Sequence, residues 1–262
     1  MSSRWLVLAL VLVACSSEES GTTGKRIVMK TTAAGDPSAR TTFTTGFGWD
    51  VTLTKAAVAT SGFYYFDGPP PTAHHRAPAK KRGLGDLFVG TAHAHPGHYQ
   101  AGTALGQVLL AAPVAIDLFA AAPLVLPDAE AVTGTYRSAR FVIPETPPAD
   151  TILAGHVALA EGRALKKDDA NATPIFFRLV ADYADVSESI KNGAVDGCIL
   201  DEAVVTEAGT VSLAVRPAIW LNLVDFSKIA PGTEAAPTEA KDAGFSQGVT
   251  QLSAYRFAYS LP

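Results

Sequence analysis

Apolar and polar residues alternate along many short stretches of the chain. Val51 and Leu53 alternate with threonines, and Phe177 and Leu179 flank Arg178. Successive side chains of a β-strand point to opposite faces, so a period of two residues indicates a strand that is buried on one face. The pattern therefore predicts a protein built mainly of β-strands.

Nine stretches are rich in β-branched or aromatic residues and are separated by Gly, Pro, Asp or Asn. They predict strands at residues 26–30, 50–59, 62–66, 134–143, 152–160, 174–183, 198–204, 210–216 and 255–260. Helical signal is confined to residues 101–110 and 220–229, and the second stretch also fits a strand. We therefore expect an all-β fold: an antiparallel β-sandwich, immunoglobulin-like or related, with one or two short helices. An antiparallel sheet closed on itself is the alternative.

The amino-terminal residues have the pattern of an export signal. Arg4 is followed by apolar residues from 5 to 14, which as a helix would cover about half of a ~30 Å hydrocarbon core. This segment is too short to be a transmembrane anchor. Its last residues and the next one, Leu12-Val13-Ala14-Cys15, resemble the lipobox of bacterial lipoproteins, in which the cysteine is acylated and becomes the mature amino terminus. An ordinary signal peptide with a chance cysteine is the alternative.

The lipobox resemblance implies a signal peptide at residues 1–14 and a lipidated flexible tether at 15–25. The strand pattern does not change along the rest of the chain, so we expect residues 26–262 to form a single β-sandwich domain. The tether is small, polar and acidic, as expected of a flexible linker. Ser16 stands where inner-membrane lipoproteins of enteric bacteria carry aspartate. The resemblance therefore favours the outer membrane, on its periplasmic or surface face, with the membrane as partner through lipid on Cys15.

Charge and cysteine content narrow the function further. Removing residues 1–14 takes away Arg4 and no acid, so the formal charge changes from −4 to −5. A mildly acidic chain without a dense basic run is not expected to bind nucleic acid. Once Cys15 carries lipid, Cys198 is the one remaining thiol, so no intramolecular disulfide can form. We expect Cys198 to be buried, with metal binding or intermolecular pairing as alternatives.

A histidine cluster is the strongest candidate for chemistry. In an extended segment His93 and His95 point to one face, and Pro96-Gly97 fits the centre of a type II turn that returns His98 toward them. Three neutral imidazoles suit Zn²⁺ or Cu²⁺. The candidates for a further ligand are His74, His75, His156, Asp86 and Cys198. A polar surface turn and a hydrogen-bonded structural cluster are the alternatives.

Familiar catalytic motifs are missing from the sequence: it has no G-x-S-x-G, H-E-x-x-H, P-loop or C-x-x-C. Acidic residues cluster in two places, at Asp182, Asp185 and Glu188 and at Asp196, Asp201 and Glu202. Each group suits either paired-carboxylate catalysis or a solvated edge, and the second explanation is simpler. Trp49 and the aromatic run 63–66 suit either ligand stacking or core packing. The sequence thus favours a binding protein over an enzyme.

Three segments also resemble, in pattern, uncharacterised exported β-sandwich lipoproteins and methanobactin-associated periplasmic copper-binding proteins. They are residues 48–54, 114–118 and 134–141, about a third of the chain with what lies between them, and no metal-ligand motif is shared. The resemblance implies a sandwich and periplasmic metal handling. We predict a lipid-anchored periplasmic or surface protein that binds a transition metal. A surface adhesion or assembly lipoprotein without metal and a metal-dependent hydrolase are the alternatives.

Overall fold

The computed structural model describes residues 24–69, 102–169, 171–190 and 193–262. This part of the chain is mostly β-structure, with twelve strands in one sheet. The strands are β1 Arg26–Gly35, β2 Phe43–Thr44, β3 Trp49–Phe66, β4 Ala104–Asp117, β5 Leu124–Val132, β6 Gly134–Val142, β7 Ala158–Lys166, β8 Ile175–Ala181, β9 Ala194–Val205, β10 Thr210–Val215, β11 Thr238–Ala240 and β12 Tyr255–Ser260. The α-helices of the described residues are α1 Tyr183–Ser187, α2 Pro217–Leu221 and α3 Ala243–Val249, and 3₁₀ turns lie at Pro37–Arg40, Phe226–Lys228 and Leu252–Ala254.

Eight of the strands close into a ring. They pair in the order β3-β4-β5-β1-β10-β12-β9-β6, and β6 pairs back with β3. The long strand β3 makes this possible because its first half pairs with β7 and its second half with β6. The change of partner occurs at Gly62, where φ is +149° and a Cβ atom would lie 2.3 Å from the Val108 carbonyl oxygen. Glycine is required there on both counts.

The pairing directions differ from the antiparallel sandwich expected from the sequence. The sheet is mixed: β1 with β10, β12 with β9 and β11 with β8 are parallel pairs. Apolar alternation predicts which face of a strand is buried, but it does not say which strand lies beside it. Parallel neighbours such as β1 and β10 come together only because the chain returns after many intervening residues.

Aromatic side chains fill the inside of the closed ring. Phe141 stacks on Tyr255 with ring centroids 4.2 Å apart, and Phe63 meets Phe257 edge-on at 5.5 Å. Tyr65 also packs edge-on against Phe257 at 5.8 Å. Such pairs contribute about 0.5–1.5 kcal/mol each beyond the area they bury. The aromatic run 63–66 is therefore mainly core, and so is Trp49, which is 7% exposed.

Three local predictions are wrong. The expected helix at 101–110 is a strand over most of its length, because residues 104–110 lie in β4. The expected strand at 152–160 begins only at Ala158, after a turn in which Ala154 and Gly155 have positive φ. Residues 220–229 are helical only to Leu221 and then enter a 3₁₀ turn at Phe226.

Candidate functional site

A histidine–carboxylate–lysine cluster lies where three elements meet. His156 follows the turn that precedes β7, Asp182 precedes α1, and Lys241 follows β11. His156 Nδ1 lies 2.5 Å from Asp182 Oδ1, and Lys241 Nζ lies 2.5 Å from Asp182 Oδ2 and 3.0 Å from Asp185 Oδ2. His156 thus lies between that turn and β7, not on a strand face as the sequence pattern suggested.

Hydrogen bonds in this cluster favour the ionised form of Asp182 and the protonated form of Lys241. Lys241 first, and His156 second, hold the pKa of Asp182 below its ordinary value by hydrogen bonding. The pKa of Lys241 is raised by hydrogen bonds to Asp182 and then Asp185. The backbone N–H of Asp182 also donates to Asp185 Oδ2 at 2.9 Å, which holds the Asp185 carboxylate at the start of α1. The four side chains form one small network.

A carboxylate that holds an imidazole is found both behind catalytic histidines and behind metal-bound ones. Among the described residues, the hydrogen bond of the His156 ring is the one to Asp182. Those residues also contain no group of three or more His, Cys, Asp and Glu side chains able to hold a metal ion. Within the described chain, the cluster therefore connects the segments beside β7, α1 and β11 and is not part of a metal-binding group.

The predicted metal cluster lies elsewhere in the chain. His74, His75, Asp86, His93, His95 and His98 are all outside the described residues. The structure does describe both ends of the connection that contains them, which we call the stem: residues 67–69, which follow β3, and residues 102–103, which precede β4.

The stem is held together by close backbone contacts. Thr103 N–H donates to Asp67 Oδ1 at 2.6 Å, and Gly102 N–H donates to the Pro69 carbonyl at 2.6 Å. A Cβ atom on Gly102 would lie 2.5 Å from the Gly68 nitrogen, so glycine allows the two chain segments to come this close. Ser138 of β6 donates to the Gly68 carbonyl at 2.5 Å. The connection therefore leaves and re-enters the fold at one point.

The second acidic group of the sequence, Asp196, Asp201 and Glu202, forms ion pairs on the outside of the ring. Asp196 meets Arg140 at 2.5 Å, Asp201 meets Arg256 at 3.0 Å, and Glu202 meets Arg137 at 3.6 Å. Each acid lies on β9 and each arginine lies on a neighbouring strand, β6 or β12. Each carboxylate of this group thus has an arginine partner, which agrees with the simpler explanation of a solvated edge.

Cys198 is buried, as expected from its apolar neighbours. It has no exposed surface, and burial raises the pKa of its thiol to about 12. The thiol donates to the Val195 carbonyl at 3.2 Å. A buried, protonated thiol of this kind is chemically inert.

Two tyrosines place hydroxyl groups inside the ring. Tyr136 donates to the carbonyls of Val132 at 2.6 Å and Leu105 at 3.1 Å, and burial raises its pKa to about 12. Burial also raises the pKa of Tyr65, whose hydroxyl lies beside the buried Thr31. These hydroxyls belong to the aromatic core.

The comparisons add no assignment. No known family matches this chain, and no match is found among curated proteins or solved structures. As for membranes, none of the helices in the described ranges has the length and apolar character needed to cross one.

Proposed function

We propose that this protein is exported, held at a membrane by lipid on Cys15, and binds Zn²⁺ or Cu²⁺ through His93, His95 and His98. The observation that supports the metal site is the stem. Its hydrogen bonds fix both ends of the histidine-bearing connection at one edge of a rigid, closed sheet. Joining the ends of a segment reduces its conformational freedom, and so lowers the entropy cost of bringing its imidazoles together.

The chemistry of the described residues is consistent with a separate site in that connection. His156 is held by Asp182, and Cys198 is buried and protonated. Neither is available as a soft or flexible ligand for the connection. The proposal therefore rests on imidazoles between residues 74 and 98, with His74 and His75 as candidates for a fourth ligand.

Calorimetric titration of the processed protein with Zn²⁺ and with Cu²⁺ tests this proposal. Replacing His93, His95 and His98 together by Ala is expected to weaken binding at least about 100-fold. His156→Gln serves as the matched control, because it removes an imidazole outside the connection and is expected to leave the affinity unchanged. Equal affinities for the wild type and the triple variant would contradict the metal site.

Lipid attachment has its own test. Mass spectrometry of the protein purified from bacterial membranes is expected to show a mature chain beginning at Cys15 with covalent acyl groups. Cys15→Ala removes the thiol that carries the lipid and is therefore expected to abolish acylation. Membrane retention should be lost with it, because stable anchoring depends on the acyl chains. A wild-type protein that lacks acyl groups would contradict the anchor and leave the metal site unaffected.

A further inference from the structure

The consecutive strands β4 and β5, with the turn between them, present an unusual outer surface. We call residues 105–127 the apolar hairpin. Nine of its residues are exposed, and all nine are Ala, Val, Leu or Pro. Val125 is 77% exposed and Leu109 is 60% exposed. Beyond the hairpin, β5 carries the exposed acids Asp128 and Glu130. Exposed apolar residues grouped in one part of a protein surface indicate contact with another apolar surface.

Local geometry explains why these residues face outward. Thr60 of β3 pairs with Val114, whereas Gly62 pairs with Leu109, so residues 110–113 of β4 stand opposite a single residue of β3. This bulge pushes Ala111 and Ala112 into the open. Within the described residues, β4 and β5 pair only at positions 106–107 and 130–131, and beyond them the two strands separate.

The one charged residue of the hairpin is used internally. Asp117 accepts a hydrogen bond from the Phe119 N–H through Oδ1 at 2.8 Å, which closes the turn. A cation stands beside that turn: the Arg40 guanidinium lies 5.4 Å from the centre of the Phe119 ring and donates to the Ala120 carbonyl at 2.7 Å. An aromatic ring and an arginine at the edge of an apolar surface are typical of contact with lipid headgroups.

The position of the tether allows this face to reach a membrane. Lys25 N–H donates to Thr133 Oγ1 at 2.9 Å, so the chain enters the fold at the end of β5. From Cys15 to Gly24 the chain can extend at most about 30 Å, and a strand as long as β5 is itself about 30 Å long. The turn lies at the other end of β5, and a tether that enters at Thr133 is long enough for the whole strand to lie along the bilayer.

We propose that the apolar hairpin rests on the surface of the membrane that holds Cys15. The inference rests on the proposed lipid attachment. The contact is at headgroup depth, because backbone groups of the separated strands would be costly to place in hydrocarbon. Arg40 then meets lipid phosphates while Val125 and Leu109 lie among the uppermost acyl carbons.

Fluorescent labelling of single cysteines tests the contact in the full, lipidated protein. Val125→Cys reports on the hairpin, and Val204→Cys is the control: it is also an exposed valine, at 68%, on β9 across the ring. Val204 pairs with Thr135, close to the point where the tether enters, so the tether alone would bring position 204 nearer to the lipid than position 125. Cys198 is buried and protonated, so the wild-type protein should take up no label. The protein is reconstituted in phosphatidylethanolamine–phosphatidylglycerol vesicles that contain nitroxide lipids.

The label at position 125 is expected to be quenched on the order of threefold more than the label at 204, and more by a nitroxide near the headgroup than by one deep in the chain. Equal quenching at the two positions, in protein that carries acyl groups and floats with vesicles, would overturn the membrane contact alone. Protein without acyl groups or flotation would overturn the anchor and the contact together. A label at 125 that is shielded in detergent, in protein that sediments as a dimer, would assign the face to a second copy instead.

Discussion

The two sides of the closed ring have opposite outer surfaces. On the apolar hairpin every exposed residue is apolar, whereas across the ring β6, β9 and β12 carry Arg–Asp and Arg–Glu pairs. Both sides share one aromatic core. Exposed positions are not constrained by that core, so the composition of each side reports on what surrounds it. This difference is the basis of the proposed membrane contact.

The largest effect is expected where the two sides join, at Gly62. Gly62→Val would put a β-branched side chain at positive φ and against the Val108 carbonyl. We expect the free energy of unfolding to fall by about 2–4 kcal/mol, as for other strained backbone positions. Urea unfolding followed by circular dichroism measures it. A loss below about 1 kcal/mol would mean that the ring does not depend on this crossing.

A smaller effect is expected on the charged side. Asp196→Ala removes a carboxylate from the partly buried Arg140, and we expect a loss of about 1–2 kcal/mol in the free energy of unfolding. Asp201→Ala is the control, because its pair with Arg256 is more exposed and should contribute less than about 0.5 kcal/mol. Equal losses in the two variants would show that burial does not distinguish these pairs.

The His156 cluster is expected to give a modest dependence on pH. The pKa of Asp182 is lowered in the folded protein, so its stabilising effect is present above the unfolded pKa, about 4, and is lost as the pH falls through the folded value. Lys241→Met removes the largest cause. We expect it to raise the pKa of Asp182 and to reduce the loss of stability between pH 5 and pH 2.

Carboxyl NMR titration and urea midpoints at several pH values measure this effect. Asp225→Asn is the control variant. The Asp225 carboxyl also has a lowered pKa, but the main cause is its hydrogen bond with Ser227, which lies outside this cluster. An unchanged Asp182 titration in Lys241→Met would contradict the ion pair.

The smallest effect on stability is expected on the apolar hairpin itself. Val125→Asp and Val204→Asp should each change the free energy of unfolding by no more than about 0.5 kcal/mol, because both side chains are mostly exposed. Thermal unfolding without lipid measures this. A clear loss of stability for Val125→Asp alone would mean that the hairpin is packed against protein and is not a free surface.

Parts of the fold could be predicted from the sequence because burial leaves a local pattern. The strands at 50–59 and 62–66 were correctly placed, although they are two halves of β3 joined through Gly62. Burial of Cys198 and of most of the aromatic run was also predictable from apolar neighbours. Most of β4 was missed, with residues 101–110 taken for a helix, since Ala and Leu favour helices and only the surrounding sheet overrides that preference.

The contacts that make the candidate site were not predictable in this way. Asp182 and His156 are 26 residues apart, and Lys241 lies 59 residues beyond Asp182. Their meeting depends on β7, β8 and β11 lying side by side, and one of these pairings is parallel. The acidic grouping around Asp182 was visible, but its partners were not, because no short-range pattern encodes them.

The pairing of β1 also constrains the order of folding. Lys30 of β1 pairs with Thr210 of β10, so the first strand forms part of its pairing with a strand from the last quarter of the chain. Contacts this distant in sequence form slowly. During synthesis from the amino terminus, one edge of β1 stays unpaired until β10 has been made. An unpaired strand edge can pair with other chains. Productive folding of this protein therefore favours conditions that keep neighbouring chains apart.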